Sequence, residues 1–480
     1  MSNDDPVLVV DLDGTLCRTD TLHEALLQMV LDAPKAFPEL VRKALNKDKP
    51  GFKAAVADHV VPDPESLIYD PGVLAQISQA RSAGRKVALV SASDRRVVQR
   101  VAEHLDLFDD VLGTGDDAGQ NLGGDAKADL LVARYGAGGF DYIGDCATDI
   151  PVWKAARQAF STNPSKTLAQ KASAHGVSLQ PLTPAPTLPA FAKPYIKALR
   201  PHQWSKNILV FLPMLAAQDY GAFSGSLAAF VLFCLMASSV YILNDLVDLP
   251  SDRAHPRKCH RPFAAGNIPI AHGVAMAFGL IAVSILLALI LLPGLFVLML
   301  MGYFLITLAY SFTLKRKLII DVITLAGLYT MRIIAGGAAV SLTVSPWLLA
   351  FSMFLFYALA AIKRQGELLD QAKAGQEARA GRAYLSSDVV VLQIMAISAG
   401  QAAVLVFALY LYSPAVAELY ARPEILWLIC PVLLYWLSRI AILTHRGHMD
   451  DDPIVFAARD RISLLTVVMV VVIMLAAELF

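Results

Sequence analysis

The chain has 480 residues, 56% of them hydrophobic and only 17% charged, with 41 basic and 41 acidic side chains and a formal net charge of zero. That charge content is low for a soluble protein and excludes a single water-soluble globule, and nothing in it calls for a nucleic-acid partner. The length allows two to four domains. The five cysteines, Cys17, Cys146, Cys234, Cys259 and Cys430, are scattered without a C-x-x-C pair and read as free thiols of a reducing compartment. Residues 1–10 contain only a four-residue apolar run and are not read as a signal peptide.

Up to about residue 165, short β-rich runs at 7–10, 86–90 and 140–143 are each followed by a turn and a helix-like stretch. That alternation predicts an α/β domain with a parallel sheet. Asp11-Leu12-Asp13-Gly14-Thr15 follows the first strand, Ser91 ends the second, Lys127 opens a helix, and Gly144-Asp145-Cys146-Ala147-Thr148-Asp149 ends the third. Carboxylates at the C-terminal ends of strands lie where such sheets bind ligands. In one site the set has a chemical logic: one Asp attacks phosphorus, a second moves the proton, Ser and Lys hold phosphoryl oxygens, and the late carboxylates hold Mg²⁺. The motifs and their order resemble the haloacid-dehalogenase-like phosphatases over residues 5 to about 165. The resemblance implies Asp11 as nucleophile, Asp13 as acid/base, Ser91 and Lys127 on phosphate, and Mg²⁺ held by Asp145 and Asp149 with Asp11 and Asp13. It also implies a substrate-setting helical cap within residues 17–85.

Residues 166–195 are expected to be a linker, because Pro181, Pro184, Pro186, Pro189 and Pro194 favour an extended, semi-rigid chain. The membrane domain is expected from 196, and from about 204 on apolar runs dominate. Nine spans are expected, roughly 206–222, 226–247, 272–291, 294–311, 319–340, 344–362, 389–412, 424–443 and 461–479, each near the ~20 residues needed to cross a bilayer. The first is interrupted by Pro213. Alternate loops carry sixteen lysines and arginines, among them Arg379, Arg382 and Arg446, whereas the opposite loops carry only Arg422. By the positive-inside rule the basic loops face the cytoplasm. The expected protein is therefore a multi-pass inner-membrane protein with its N-terminal domain and active sites on the cytoplasmic side.

The second of these spans runs into Asn244-Asp245-Leu246-Val247-Asp248-Leu249-Pro250-Ser251-Asp252. Carboxylates at that depth are costly unless they serve an ion or a substrate. Asn244, Asp248 and Asp252 step by four and Asp245 lies three before Asp248, so on a continuing helix they share a face. Such oxygen ligands suit Mg²⁺ carrying a diphosphate. The motif resembles that of the UbiA superfamily of intramembrane prenyltransferases. The resemblance extends to residues 200–207 (RPHQWSKN), 252–258 (DRAHPRK) and 261–266 (RPFAAG), then to Tyr310-Ser311, Lys315, Asp321, Arg332 and 363–367 (KRQGE). This set is similar to the decaprenyl-phosphate phosphoribosyltransferase branch, and implies transfer of 5-phosphoribose from phosphoribosyl diphosphate to a polyprenyl phosphate. The loop 315–321 has three bases and one acid where relatives usually carry a second Asp-rich motif, and a basic loop suits additional phosphates.

The implied fold is multi-domain: a soluble, Rossmann-like α/β phosphatase with a helical cap at 1–165, and an all-α, nine-helix transmembrane UbiA-type bundle at 196–480. Asn244, Asp245, Asp248 and Asp252 are expected to hold Mg²⁺ on the diphosphate, with Asp245 and Asp248 central to catalysis. Arg253, Lys258 and Arg261 are expected on the donor phosphates. Lys206, Lys363, Arg364 and the Lys315 loop are candidates for the lipid phosphate or the 5-phosphate. Arg332 either binds substrate or pairs with Asp321 or another acid. Asp450, Asp451 and Asp452 read as an acidic turn. The rival readings are an aromatic prenyltransferase and a transporter with a regulatory phosphatase-like domain; transporter sites tend to lie near the midplane rather than at one interface.

Overall fold

The computed structural model describes residues 6–115, 121–163, 165–182, 188–373, 383–449 and 452–479. Arg379, Arg382, Asp450 and Asp451 lie outside them. The chain forms two compact units. One comprises Met1–Ala198 together with Ile242–Met276, and the other Leu199–Tyr241 together with Ala277–Phe480.

The first unit is built on a parallel sheet of β1 (Val7–Val10), β2 (Val87–Asp94), β3 (Asp110–Thr114), β4 (Phe140–Gly144), β5 (Gln158–Ser161) and β6 (Leu179–Pro181), in the order β3-β2-β1-β4-β5-β6. Side chains alternate across it. Leu8, Val10, Val87 and Leu89 join one apolar core with the helices Pro71–Ser82 and Arg95–Leu105. Val9, Ala88, Val90 and Tyr142 join the other with Asp125–Tyr135 and Ile150–Ala155. Burial on both faces explains why these strands read as continuous apolar runs. The strand order reverses between β1 and β4, which opens a crevice at their C-terminal ends. A cap of three helices, Thr21–Asp32, Phe37–Leu45 and Lys49–His59, has its own small core of Ala25, Met29, Leu40, Ala55 and Val56.

The described residues of the segment expected as a linker include regular elements; Pro184 and Pro186 lie outside the described residues. Lys166–Ala174 is a helix capped by Ser165, β6 adds to the sheet through Ala159↔Leu179 and Phe160↔Gln180, and Leu188–Ala198 is a helix despite Pro194. Pro181 ends the edge strand, and Pro189 stands in the first turn of its helix; both are positions where a missing N–H costs little. The sheet therefore continues beyond residue 165.

Eight helices among the described residues are long and apolar enough to cross a membrane: Tyr220–Val247, Ile270–Leu291, Gly294–Phe312, Ile320–Ala339, Pro346–Lys373, Ser386–Leu411, Pro423–His445 and Arg461–Leu479. The expected count of nine is corrected at 206–222. There the chain forms a 3-10 helix, Pro201–Phe211, and then a five-residue α-helix, Leu212–Ala216, with Pro213 in its first turn. This segment packs on Ile320–Ala339 so closely that a Cβ on Gly336 would collide with the Val210 carbonyl. Small residues permit such backbone approach where lipid supplies no hydrophobic drive.

Candidate active sites

Asp11 leaves β1 at the crevice. Its Oδ1 lies 3.0 Å from Lys127 Nζ, which is 2% exposed. Lys127 also donates to the Tyr142 hydroxyl at 3.0 Å, and that hydroxyl donates to Asp149 Oδ1 at 2.9 Å. The other Asp149 oxygen accepts from the backbone N–H groups of Asp145 and Cys146 at 3.1 and 3.3 Å. Asp149 thus shapes the turn that carries Asp145. Asp13 is gripped on both oxygens: Thr21 N and Oγ1 donate to Oδ1, each at 2.7 Å, and Ser93 and Ser91 hydroxyls donate to Oδ2 at 2.5 and 3.3 Å. Gly14, at φ +72°, is obligatory because a Cβ would collide with the Asp145 carboxylate.

Burial raises the carboxyl of Asp11 to about 7 against the pull of Lys127, with Asp149 and Asp13 adding repulsion. Burial, together with Asp149 and Asp11, also raises Asp145 to about 7. Asp145, Cys146 and Asp149 offer ligand atoms within 4.8 Å of one another. Crowded carboxylates that resist ionisation are what a divalent cation relieves, so this site fits Mg²⁺. The cap contributes Lys53, whose ammonium donates to the Ala92 carbonyl at 2.5 Å and to Asn121 at 2.7 Å.

The acidic loop belongs to the same compact unit. Asn244 and Asp245 end the helix Phe223–Val247, and Asp248 caps the five-residue helix Leu249–Arg253. Backbone bonds Asp248 N to Asn244 O (2.9 Å) and Asp252 N to Asp248 O (2.8 Å) carry the helical rise through Pro250, so the steps of four keep their common face. Arg261 bridges Asp252 at 2.6 Å and Asp245 at 3.1 Å, and Lys258 lies 3.6 Å from Asp252. Asp252 Oδ1, the oxygen nearest Lys258, is buried and accepts no hydrogen bond. Under-bonded carboxylate oxygens suit Mg²⁺, and among the described residues those of Asp245, Asp248 and Asp252 are less tightly gathered than the ligand atoms of Asp145, Cys146 and Asp149. Arg253 is a correction. It does not face the donor side but forms a fork with Glu24 of the cap, at 2.7 and 2.9 Å.

In the second unit, Lys206 and Lys363 converge on one oxygen of Asp452, at 2.8 and 3.0 Å. Burial would raise the Asp452 carboxyl, but the two ammonium groups hold it well below the usual range. Lys206 and Arg332 both lie over the Tyr329 ring, 5.8 and 5.3 Å from its centroid. Arg332 donates to Asn207 Oδ1 (2.8 Å), the Leu328 carbonyl (2.6 Å) and the Tyr303 hydroxyl (2.9 Å), none of them a carboxylate. The Asp321 alternative for Arg332 is corrected. Asp321 pairs instead with Arg364 at 2.8 Å, and the Tyr384 hydroxyl donates to it at 2.6 Å. Arg364 also reaches Glu367 at 2.5 Å and Tyr310 at 3.3 Å. Arg364 and Asp321, both expected among the substrate-binding residues, are 1% and 0% exposed and lie against each other. Lys315 is half-buried in the turn Leu314–Arg316.

Residues 207–465 match the UbiA prenyltransferase family, more than half of the chain. The chain is a member of that family. In this UbiA-family enzyme, residues 24–154 also match the haloacid dehalogenase-like hydrolases; the match begins after Asp11–Thr15, so the nucleophile position rests on the geometry above. An uncharacterized protein, y4nM, of Sinorhizobium fredii is 36% identical over 462 residues, 95% of this chain and 88% of that protein. The nodulation protein NoeC of Azorhizobium caulinodans is 37% identical over 57% of this chain and 89% of its own length. A decaprenyl-phosphate phosphoribosyltransferase of Mycolicibacterium smegmatis is 38% identical over 40% of this chain and 63% of its own. The UbiA-family chain is thus a membrane transferase joined to a phosphatase-type domain.

Sequence reasoning missed several polar residues that the geometry brings in. Asp452 reads locally as part of a turn, yet it is the counter-ion of two lysines 246 and 89 positions away. Asn207 lies in the stretch 200–207, where local sequence assigns it no role of its own. Ser93, two residues beyond Ser91 on the same strand face, and Tyr142, in an apolar run, gave no signal at all.

Proposed function

We propose that the enzyme transfers 5-phosphoribose from phosphoribosyl diphosphate to a polyprenyl phosphate. The bond from ribose C1 to the diphosphate oxygen breaks, its electron pair leaves with pyrophosphate, and a lipid-phosphate oxygen bonds to C1. A lipid phosphate is already ionised, so no general base is required. Mg²⁺ held by Asp245, Asp248, Asp252 and Asn244 would supply charge to the departing diphosphate. Arg261 and Lys258 guide the donor phosphates onto that loop, and Lys206, Lys363 and Arg332 bind further phosphate oxygens. The observation that carries this reading is the excess of cations in the second unit: Lys206 and Lys363 share one carboxylate and Arg332 bonds none. Asp321, the acid in the position of a second metal motif, is consumed by Arg364 and Tyr384. An aromatic prenyltransferase has fewer phosphates to bind and no use for that charge. The naming of the mycobacterial-type relatives supports the same donor and acceptor.

The N-terminal domain, in this reading, removes the 5-phosphate from the lipid product. Asp11 attacks phosphorus as the bond to the ribose 5-oxygen breaks and Asp13 protonates that oxygen; water, giving a proton back to Asp13, then hydrolyses the aspartyl phosphate to phosphate and free Asp11, while Lys127, Ser91 and Ser93 hold phosphoryl oxygens. Both active sites face the cytoplasm. That the phosphatase-type domain and the loop 248–269 share one compact unit, with the Glu24–Arg253 pair between them, supports placing both on one side of the membrane.

The test is ligand stabilisation by mass action. With Mg²⁺ present, phosphoribosyl diphosphate should raise the melting temperature of the purified protein more than geranyl diphosphate does. Stabilisation by the prenyl diphosphate alone, with alkylation of an aromatic acceptor, would replace this reading by its rival.

A further inference from the structure

The Glu24–Arg253 pair joins two catalytic machineries that perform different reactions. Glu24 lies on the first cap helix, one turn beyond Thr21, whose N–H and hydroxyl hold Asp13. Its two oxygens accept from both terminal nitrogens of Arg253, and the side chains are 8% and 7% exposed. Arg253 also donates to the Ser66 carbonyl at 2.9 Å, and the Thr19 hydroxyl donates to Glu24. The fork therefore has one rigid geometry, fixed from the cap side. On the other side, Arg253 ends the short helix Leu249–Arg253 and directly follows Asp252, whose buried Oδ1 accepts no hydrogen bond and lies 3.6 Å from Lys258. A second contact lies further along the loop: at Gly266, φ +67°, a Cβ would come within 3.1 Å of the Arg18 side chain.

We propose that Glu24, a residue of the phosphatase-type domain, is a positioning residue of the transferase. By fixing Arg253 it holds the turn 248–252 so that Asp245, Asp248 and Asp252 present their oxygens together. A five-residue helix starting at a proline-containing turn has little stability of its own, because helix nucleation is unfavourable and short helices are marginal. The transferase thus depends on the fold of the phosphatase-type domain and not on its chemistry. This inference uses the Mg²⁺-diphosphate role of the loop and rests to that extent on the function proposed above.

The test compares wild type with Glu24→Gln, the double variant Glu24→Arg/Arg253→Glu, and Glu39→Gln, an exposed cap carboxylate, as control. Three quantities are read in the full-length protein: hydrogen exchange of residues 249–266 without metal, the Mg²⁺-pyrophosphate concentration that half-protects against heating, and KM and kcat of phosphoribosyl transfer. Glu24→Gln should speed exchange in the loop, and should raise the half-protecting concentration and the donor KM by about tenfold or more, the scale of losing a group that orients a metal ligand. The exchanged pair should recover most of this, and Glu39→Gln should match wild type. Unchanged exchange and unchanged pyrophosphate protection in a folded Glu24→Gln protein would overturn the proposal, as would a wild type that Mg²⁺-pyrophosphate does not protect. If the variants shift pyrophosphate protection as expected but wild type transfers no phosphoribose, the donor assignment fails and the positioning role stands. If Glu24→Gln does not fold, the exchanged pair decides: protection like wild type supports the ion pair, and a folded exchanged pair whose half-protecting concentration rises by about tenfold or more refutes it.

Discussion

Asp321 stands where a metal-binding acid would be sought, and its replacement separates a brace from a ligand. It is fully buried, ion-paired to Arg364 and bonded by Tyr384. Asp321→Asn keeps the shape and removes the charge, leaving Arg364 buried with one counter-ion fewer. Breaking a buried pair from one side costs about 3–5 kcal/mol. Glu367, 2.5 Å from Arg364, keeps part of that charge neutralised, so the low end, about 3 kcal/mol, applies. At about 2–4 °C per kcal/mol for a unit of this size, the melting temperature should fall by roughly 6–12 °C. The double change Asp321→Leu/Arg364→Met should recover most of the loss, since removing both charges leaves neither unpaired. Thermal unfolding in detergent, followed by tryptophan fluorescence, reads both variants. An Asp321→Asn protein that melts with wild type yet has lost transfer would refute the brace and make Asp321 a ligand.

Three further outcomes are expected. Asp245→Asn or Asp248→Asn should lower transfer by about 100-fold or more while folding survives, because Arg261 keeps Asp252 as its counter-ion at 2.6 Å; near-normal rates in saturating Mg²⁺ would remove the loop from the mechanism. The phosphatase site should bind Mg²⁺ more weakly as pH falls. Burial and like charges hold Asp11 and Asp145 at about 7, and only their ionised forms bind metal. The apparent affinity should therefore drop steadily below about pH 7 and level off above about pH 8; a flat Mg²⁺ titration across that range would contradict the site. Asp11→Asn should stop the pathway at the 5-phosphorylated lipid, seen by mass spectrometry, where wild type proceeds to the dephosphorylated one. Identical lipid products would detach the phosphatase from the transferase product.

Much of this architecture is legible locally. β1 and β4 announce themselves as apolar runs ending in carboxylates, and the Asp-rich loop by its steps of four. What escaped depends on context that a local window lacks. β6 is hidden because an edge strand tolerates Pro181, so proline composition imitates a linker. The 206–222 stretch has the hydropathy of a span, but Pro213 and the close packing at Gly336 give it a 3-10 and short-helix backbone. Arg253 lies within an apparent phosphate-binding run, yet its partner is 229 residues away. Arg364 and Lys363 are neighbours in sequence and diverge in the fold, one into a buried pair and the other towards Asp452.

The central claim is tested most directly by incubating the purified protein with Mg²⁺, a polyprenyl phosphate and phosphoribosyl diphosphate labelled in the ribose. The label should pass into the lipid phase as polyprenyl-phosphoryl-ribose, with pyrophosphate released in equal amount. Label that stays in the aqueous phase, while a prenyl diphosphate and an aromatic acceptor react in the same preparation, would contradict it.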